Sequence, residues 1–150
     1  MGNQEGAGKV LSLRLCVGSR DPMKIVKSAV VIAGEGIDGD RHRRTDGRRS
    51  DRQILLMDRE TIDLFGLQEG DVRENITVEG LDFTKIMDGD KVSIGPDVIL
   101  KITGDCEPCA RMDELREGLR NSLEGQRGLL AYAEKGGLIS LGDNISNLSA

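Results

Sequence analysis

The stretch GDCEPCARM sets two thiols, Cys106 and Cys109, three residues apart, with Pro108 stiffening the turn between them. Thiolates are soft metal ligands and nucleophiles, so this spacing admits several chemistries. A thioredoxin-like dithiol couple would sit at a helix start in a βαβ unit near the N-terminus, a context this chain lacks. A structural zinc site needs a second pair of ligands, and only Cys16 and His42 remain. A single thiolate could instead ligate, or carry sulfur for, a bound cofactor. The plain alternative is two small buried residues at a turn.

Two other stretches carry groups suited to anions. Residues 39–53, GDRHRRTDGRRSDRQ, gather Arg41, Arg43, Arg44, Arg48, Arg49 and Arg52 around the single histidine, His42. A solvated surface loop is one reading. The other is a compact cradle whose forked guanidiniums grip a phosphate or similar oxyanion, with His42 as a further donor. Nucleic acid is not an expected partner, because the chain is acidic overall and two Phe and one Tyr leave little for bases to stack on. In GDVRENITVEGLDF, residues 70–83, Arg73 and Asn75 lie two apart at the start of a predicted strand and so project to one side. That pair suits a phosphate or the edge of a pterin-type ring, or else Asn75 simply caps a hairpin entry.

The elements that must position these groups are mostly short strands. KVLSLRLCV alternates, with Val10, Ser12, Arg14 and Cys16 on one face and Leu11, Leu13, Leu15 and Val17 on the other. SAVVIAG, QILLM, ENITV, KVSIG, VILKITG, GLLAYAE and LISLGD read as further strands between Gly-rich turns. A helix is predicted over residues 58–66, with Asp58 as its N-cap and Gly66 as its stop. A second covers residues 111–123, interrupted by Gly118. Many strands and two short helices predict a mainly β chain, a barrel or sandwich, since a doubly wound sheet would need a helix after nearly every strand.

The chain has 150 residues and a formal net charge of -5, enough for one domain over residues 9–150 after a flexible lead-in of residues 1–8. Charge is uneven. Residues 1–60 carry twelve Lys and Arg against nine Asp and Glu, and residues 61–150 carry nine against seventeen. No apolar run approaches the ~20 residues of a membrane span, and no secretory h-region stands at the N-terminus, so a cytoplasmic location without membrane partners is expected. Three cysteines, an odd count, favour thiol or metal chemistry over a disulfide framework. Cys16, on a predicted strand, reads as an ordinary packing thiol.

In order and spacing, five stretches resemble the MOSC family, the C-terminal domain of molybdenum cofactor sulfurases that also occurs in small stand-alone bacterial proteins. They are GIDGDRH, RQILLM, GDVRENITVEGLDF, GDKVSIG followed by CEPCARM, and RGLLAYAEKGGLISLGD, spanning residues 36–143. The resemblance implies a closed β-barrel with a few short helices. It implies that Cys109 is the characteristic cysteine, a persulfide carrier or a molybdenum ligand. Cys106 matches a cysteine of only some members. Arg73 and Asn75 match the pocket-lining stretch, Asp40 and His42 the G-D-x-H motif, Arg52 and Gln53 the R-Q pair, and Arg127 and Gly128 the late R-G motif.

The implied ligand is the molybdenum cofactor, molybdopterin, with Arg73, Arg52 and basic-loop arginines on its phosphate and Asn75 on the pterin. The same arginines should depress the pKa of Cys109. Nothing in the chain resembles the desulfurase domain of the large sulfurases, so pyridoxal phosphate is not expected to bind this domain alone. A cysteine desulfurase, a molybdoenzyme or a reductase is an expected protein partner. The implied function is a cofactor-binding or sulfur-carrier module. The alternative is a molybdenum-dependent reductase of N-hydroxylated compounds that takes electrons from separate partners.

Overall fold

The computed structural model describes residues 7–48 and 50–149. Most of the expected lead-in, residues 1–6, and Arg49 of the basic loop lie outside the described residues. Eleven strands and three short helices follow in order among the described residues: β1 (Ala7–Leu15), β2 (Lys24–Val26), β3 (Ser28–Ile32), β4 (Gly36–Ile37), β5 (Ile54–Asp58), α1 (Arg59–Leu64) and β6 (Ile76–Glu79). Then come β7 (Lys91–Ile94), β8 (Val98–Asp105), α2 (Ala110–Leu115), α3 (Leu119–Ser122), β9 (Leu129–Lys135), β10 (Gly137–Ser140) and β11 (Asn144–Asn147). Ala7 and Gly8, expected in the lead-in, already belong to β1 and pair with Ser146 and Ile145.

Seven strands close into a barrel in the order β11-β7-β8-β9-β5-β6-β1, sealed where β1 pairs with β11. The fold is mainly β, as expected. Every neighbouring pair in the ring is antiparallel except β5 and β6. That parallel pair needs a crossover, and α1 with the following loop to residue 75 supplies it. β2 extends the sheet beyond β1, and β10, β3 and β4 form a separate three-stranded sheet.

Local sequence explains where the two cores lie. The barrel interior is filled by Val10, Leu13, Ile54, Leu56, Ile76, Leu100 and their neighbours. A smaller cluster outside it joins Met57, Ile62, Val72, Met112, Leu119 and Leu123. All five residues of β5 are buried, because one face fills the barrel while Met57 on the other supports the helices. The unbroken apolar run in QILLM has this cause. In β1 the expected alternation shifts: the register slips between Val10 and Ser12, so Val10 and Leu13, three apart, both enter the core.

α1 begins after Asp58 and ends before Gly66, whose φ is 66°. The Asp58 side chain accepts from the Thr61 hydroxyl at 2.8 Å and not from a backbone amide. The single helix predicted over residues 111–123 is two, α2 and α3, split at Gly118, which adopts φ 83°. The split turns a long helix into a compact cap over Met57. It also leaves Cys109 at the start of α2, packed against that cluster.

Candidate functional site

A cavity of about 400 Å³ opens where the loop after β1, the basic loop, the entry to β6 and the exit of β8 meet. Six arginines line it: Arg41, Arg44, Arg52, Arg73, Arg111 and Arg127. No Asp or Glu does, and none of the six forms an ion pair among the described residues. The basic loop therefore divides. Arg43 is neutralised by Glu35 at 2.7 Å and Asp38 at 3.1 Å, and Arg48 lies 3.9 Å from Asp46, whereas Arg41, Arg44 and Arg52 turn to the cavity.

Asp40 stands behind this wall, with its side chain fully buried. Its Oδ1 accepts from the Cys16 amide at 2.6 Å and from Asn75 Nδ2 at 3.0 Å. Its Oδ2 accepts from the His42 amide at 3.0 Å and faces His42 Nδ1 at 3.1 Å. With Nδ1 facing that carboxylate, Nε2 is the ring nitrogen without a partner among the described residues and the one able to meet a ligand. Asn75 completes the hub. Its Oδ1 accepts from the Leu55 amide at 3.0 Å, and its Nδ2 donates to the Arg14 carbonyl at 3.1 Å as well as to Asp40. Asn75 reaches the cavity wall with its amide groups already engaged, so it holds β1, β5 and the basic loop in register.

Arg73 does not sit on a strand, as its spacing from Asn75 suggested. β6 begins at Ile76, and Arg73 occupies a turn with φ 63°, the only positive φ of a non-Gly residue among the described residues. Such a conformation costs about 1 kcal/mol or more and persists only where surroundings enforce it. Here the guanidinium donates to the carbonyls of Asp21 (3.0 Å) and Gly18 (2.9 Å) and to Cys16 Sγ (3.2 Å). Cys16 is buried as expected, yet it lies just past the end of β1, and it lines the cavity.

Arg127 spans the other side. It donates to the carbonyls of Glu107 and Val72, each at 3.1 Å, and to Cys109 Sγ at 3.6 Å. Its Nε is buried with no partner among the described residues. Cys106 is buried and lines the cavity, whereas Cys109 is half-buried and does not, reaching the cavity wall only through its contact with Arg127. The two thiols are tuned in opposite directions. Burial pushes Cys106 up, despite the opposing charges of Arg127 and Arg52. Burial would raise Cys109 too, but the Arg111 backbone amide and the Arg127 guanidinium outweigh it and hold that thiol below the ordinary range.

Sequence reasoning missed Arg111, which donates to the Ser19 carbonyl at 2.6 Å and ties α2 to the loop after β1. It also missed Glu74, beside Arg73 and fully buried. Glu74 Oε2 accepts from the Gly70 amide at 2.8 Å and the Thr77 hydroxyl at 2.7 Å, while Oε1 has no partner among the described residues. Burial raises this carboxyl above its ordinary range, against those two bonds and the charge of Arg14. A carboxyl titrating higher when folded contributes most in acid, and the contribution falls as pH rises through the ordinary Glu range to the folded value. Glu74→Gln keeps the acceptor and removes the ionisation cost. It is expected to be more stable than the native chain at neutral pH by about 1 kcal/mol, the gap closing below about pH 4, in urea titrations across pH. A gap that does not depend on pH would exclude the buried charge as its source.

The family model of the MOSC domain matches residues 42–146. The chain belongs to the MOSC domain family. That family is associated with the molybdenum cofactor. Among solved structures the barrel is similar to the YuaD protein of Bacillus subtilis, with a TM-score of 0.75 and 19% identity over 93% of this chain and 94% of that one. It is also similar to YiiM of Escherichia coli, with a TM-score of 0.72 and 14% identity over 95% of this chain and 70% of that one. YiiM of Geobacillus stearothermophilus gives 0.71 and 16% over 94% and 75%. At such identities these three share the fold. No curated protein matches the sequence. Within this MOSC chain, no helix among the described residues is long and apolar enough to cross a membrane.

Proposed function

We propose that this MOSC domain binds the molybdenum cofactor in the arginine-lined cavity, with Cys109, beside the lining residue Arg127, as its sulfur-bearing residue. The observation that carries the reading is the set of six guanidiniums lining one cavity without a carboxylate among them. Unneutralised, they repel one another, and an anionic ligand is what relieves that repulsion. The cavity volume falls within the range of small-molecule sites, and the unpartnered Nε of Arg127 is a buried donor in want of an acceptor. These features fit a phosphate-bearing pterin.

Arg52 and Arg73 would hold the phosphate, with Arg41 and Arg44 adding charge from the basic loop. His42 Nε2, the ring nitrogen that does not face Asp40, would meet a polar edge of the ligand. When bound, the cofactor would supply a molybdenum centre open to sulfur or oxygen ligands. Cys109 would present a thiolate at that side, whether to the metal or as the carrier of a sulfur atom, because its proton is already weakly held. The loop after β1, tied down by Arg73 and Arg111, would restrict water at the mouth.

The test is recovery of the full chain from cells with and without cofactor biosynthesis, followed by molybdenum analysis and fluorescence of the oxidised pterin. Both signals should accompany the chain from replete cells, and Arg52→Ala or Arg73→Ala should each lower them about tenfold, the worth of one charge-assisted bond. Pterin at blank level in the native chain would overturn the reading.

A further inference from the structure

Cys106 and Cys109 share a fixed frame. The Cys106 amide donates to the Gly128 carbonyl at 3.1 Å, and the neighbouring Arg127 guanidinium holds both the Glu107 carbonyl and Cys109 Sγ. One dipeptide, Arg127-Gly128, thus anchors the beginning, the middle and the end of the C-x-x-C segment. The sulfurs differ in access. Cys109 is open enough for an outside donor to reach, while Cys106 is 6% exposed and faces the cavity. Only two residues separate them, and Arg127, which contacts Cys109 Sγ, lines the cavity together with Cys106.

We propose that Cys106 is the resolving thiol of a sulfide-releasing pair: it attacks Sγ of a sulfur-loaded Cys109, the two close into a disulfide, and the carried sulfur leaves as hydrosulfide into the cavity. The inference rests on the reading of Cys109 as the sulfur carrier. The step balances without a further reagent. The bond between Cys109 Sγ and the outer sulfur breaks, and the Sγ–Sγ bond between the cysteines forms. The outer sulfur takes up two electrons and the Cys106 proton, and the two cysteines are oxidised together. A dithiol reductant is needed only to reopen the pair for another cycle. The exit is favourable because the departing anion emerges beside Arg52 and Arg127, the two guanidiniums that line the cavity with Cys106. A carrier of this kind delivers sulfide at the ligand cavity, where a lone persulfide on Cys109 would have to be collected from outside.

The experiment loads the reduced full chain with glutathione persulfide, removes small thiols by desalting, and follows sulfide release, intact mass and peptide maps. The native chain should release one sulfide for each disulfide formed and end two hydrogens lighter than the reduced chain, with Cys106 and Cys109 linked. Cys106→Ala should retain the extra sulfur on the Cys109 peptide and release sulfide at least about tenfold more slowly, having lost the intramolecular attack. If the native chain keeps a stable extra sulfur on Cys109, the pair is not a releasing one and the carrier reading stands alone. If Cys109→Ala accumulates sulfur on Cys106 while Cys106→Ala does not load, the roles are reversed and the proposal falls. If neither cysteine takes up sulfur and no disulfide forms, the carrier reading falls with it. The native chain's mass decides the matter even if a variant fails to fold.

Discussion

Asp40→Ala should lower the stability of the chain by about 3–5 kcal/mol, which is a large share of what a domain of this size possesses. The substitution removes the acceptor of the Cys16 amide, of Asn75 Nδ2 and of the His42 amide at once. Each buried donor left without a partner costs about 1–3 kcal/mol, and water has poor access to a side chain that is fully buried. The damage also spreads. Without Asp40 to fix its amide, Asn75 loses its orientation toward the Leu55 amide and the Arg14 carbonyl, so β1 and β5 lose a shared tie. Asp40→Asn keeps one acceptor oxygen but sets an amide group against a donor, and should lose about 2 kcal/mol. Urea titration of the three chains provides the check. A midpoint for Asp40→Ala equal to that of the native chain would mean that Asp40 does not support the cavity wall.

The hub also marks the limit of what sequence reading reaches. GDRH and RENITV are conspicuous as motifs, and their residues do meet in one place. Their division of labour is not visible in the motif. Asp40 braces the wall from behind and Asn75 reaches it with its amide already engaged, while His42 and Arg73 face the cavity, and only the hydrogen bonds separate the two kinds. The six arginines of the basic loop look alike in sequence, yet Arg43 is neutralised by Glu35 from the β3–β4 turn and by Asp38 just after β4. A count of charges cannot tell which guanidinium finds a carboxylate.

Strands with an alternating or continuous apolar pattern were legible because their side chains settle locally which face is buried. Ring closure was legible only through the family resemblance, because β1 and β11 pair across 139 positions, Ala7 opposite Ser146, and nothing local in NISN demands it. β2 and β4 are three and two residues long, too short for any period to register. Cys16 is buried as expected, but its place at the cavity was not legible for a related reason. Its place at the cavity depends on β1 ending at Leu15 and on Arg73 arriving from a turn 57 positions away.

Arg127→Gln should slow alkylation of Cys109 at neutral pH about tenfold and move the midpoint of its pH profile upward. The guanidinium is the one cationic side chain that contacts Cys109 Sγ among the described residues, and removing that charge moves the thiol upward. The sign is fixed by which form reacts. Only the thiolate is alkylated, so loss of the stabilising charge lowers its share at any pH below the new midpoint. The Arg111 amide remains, so Cys109 should still titrate below Cys106, whose own thiol rises further when the same charge is removed. The order of the two thiols should thus persist while both profiles move up. Mass mapping of iodoacetamide adducts at Cys106 and Cys109 between pH 5 and 10 would resolve them. An unchanged Cys109 profile would assign its reactivity to the backbone amides of α2 alone, and Arg127 would then serve only the anion and the Glu107 turn.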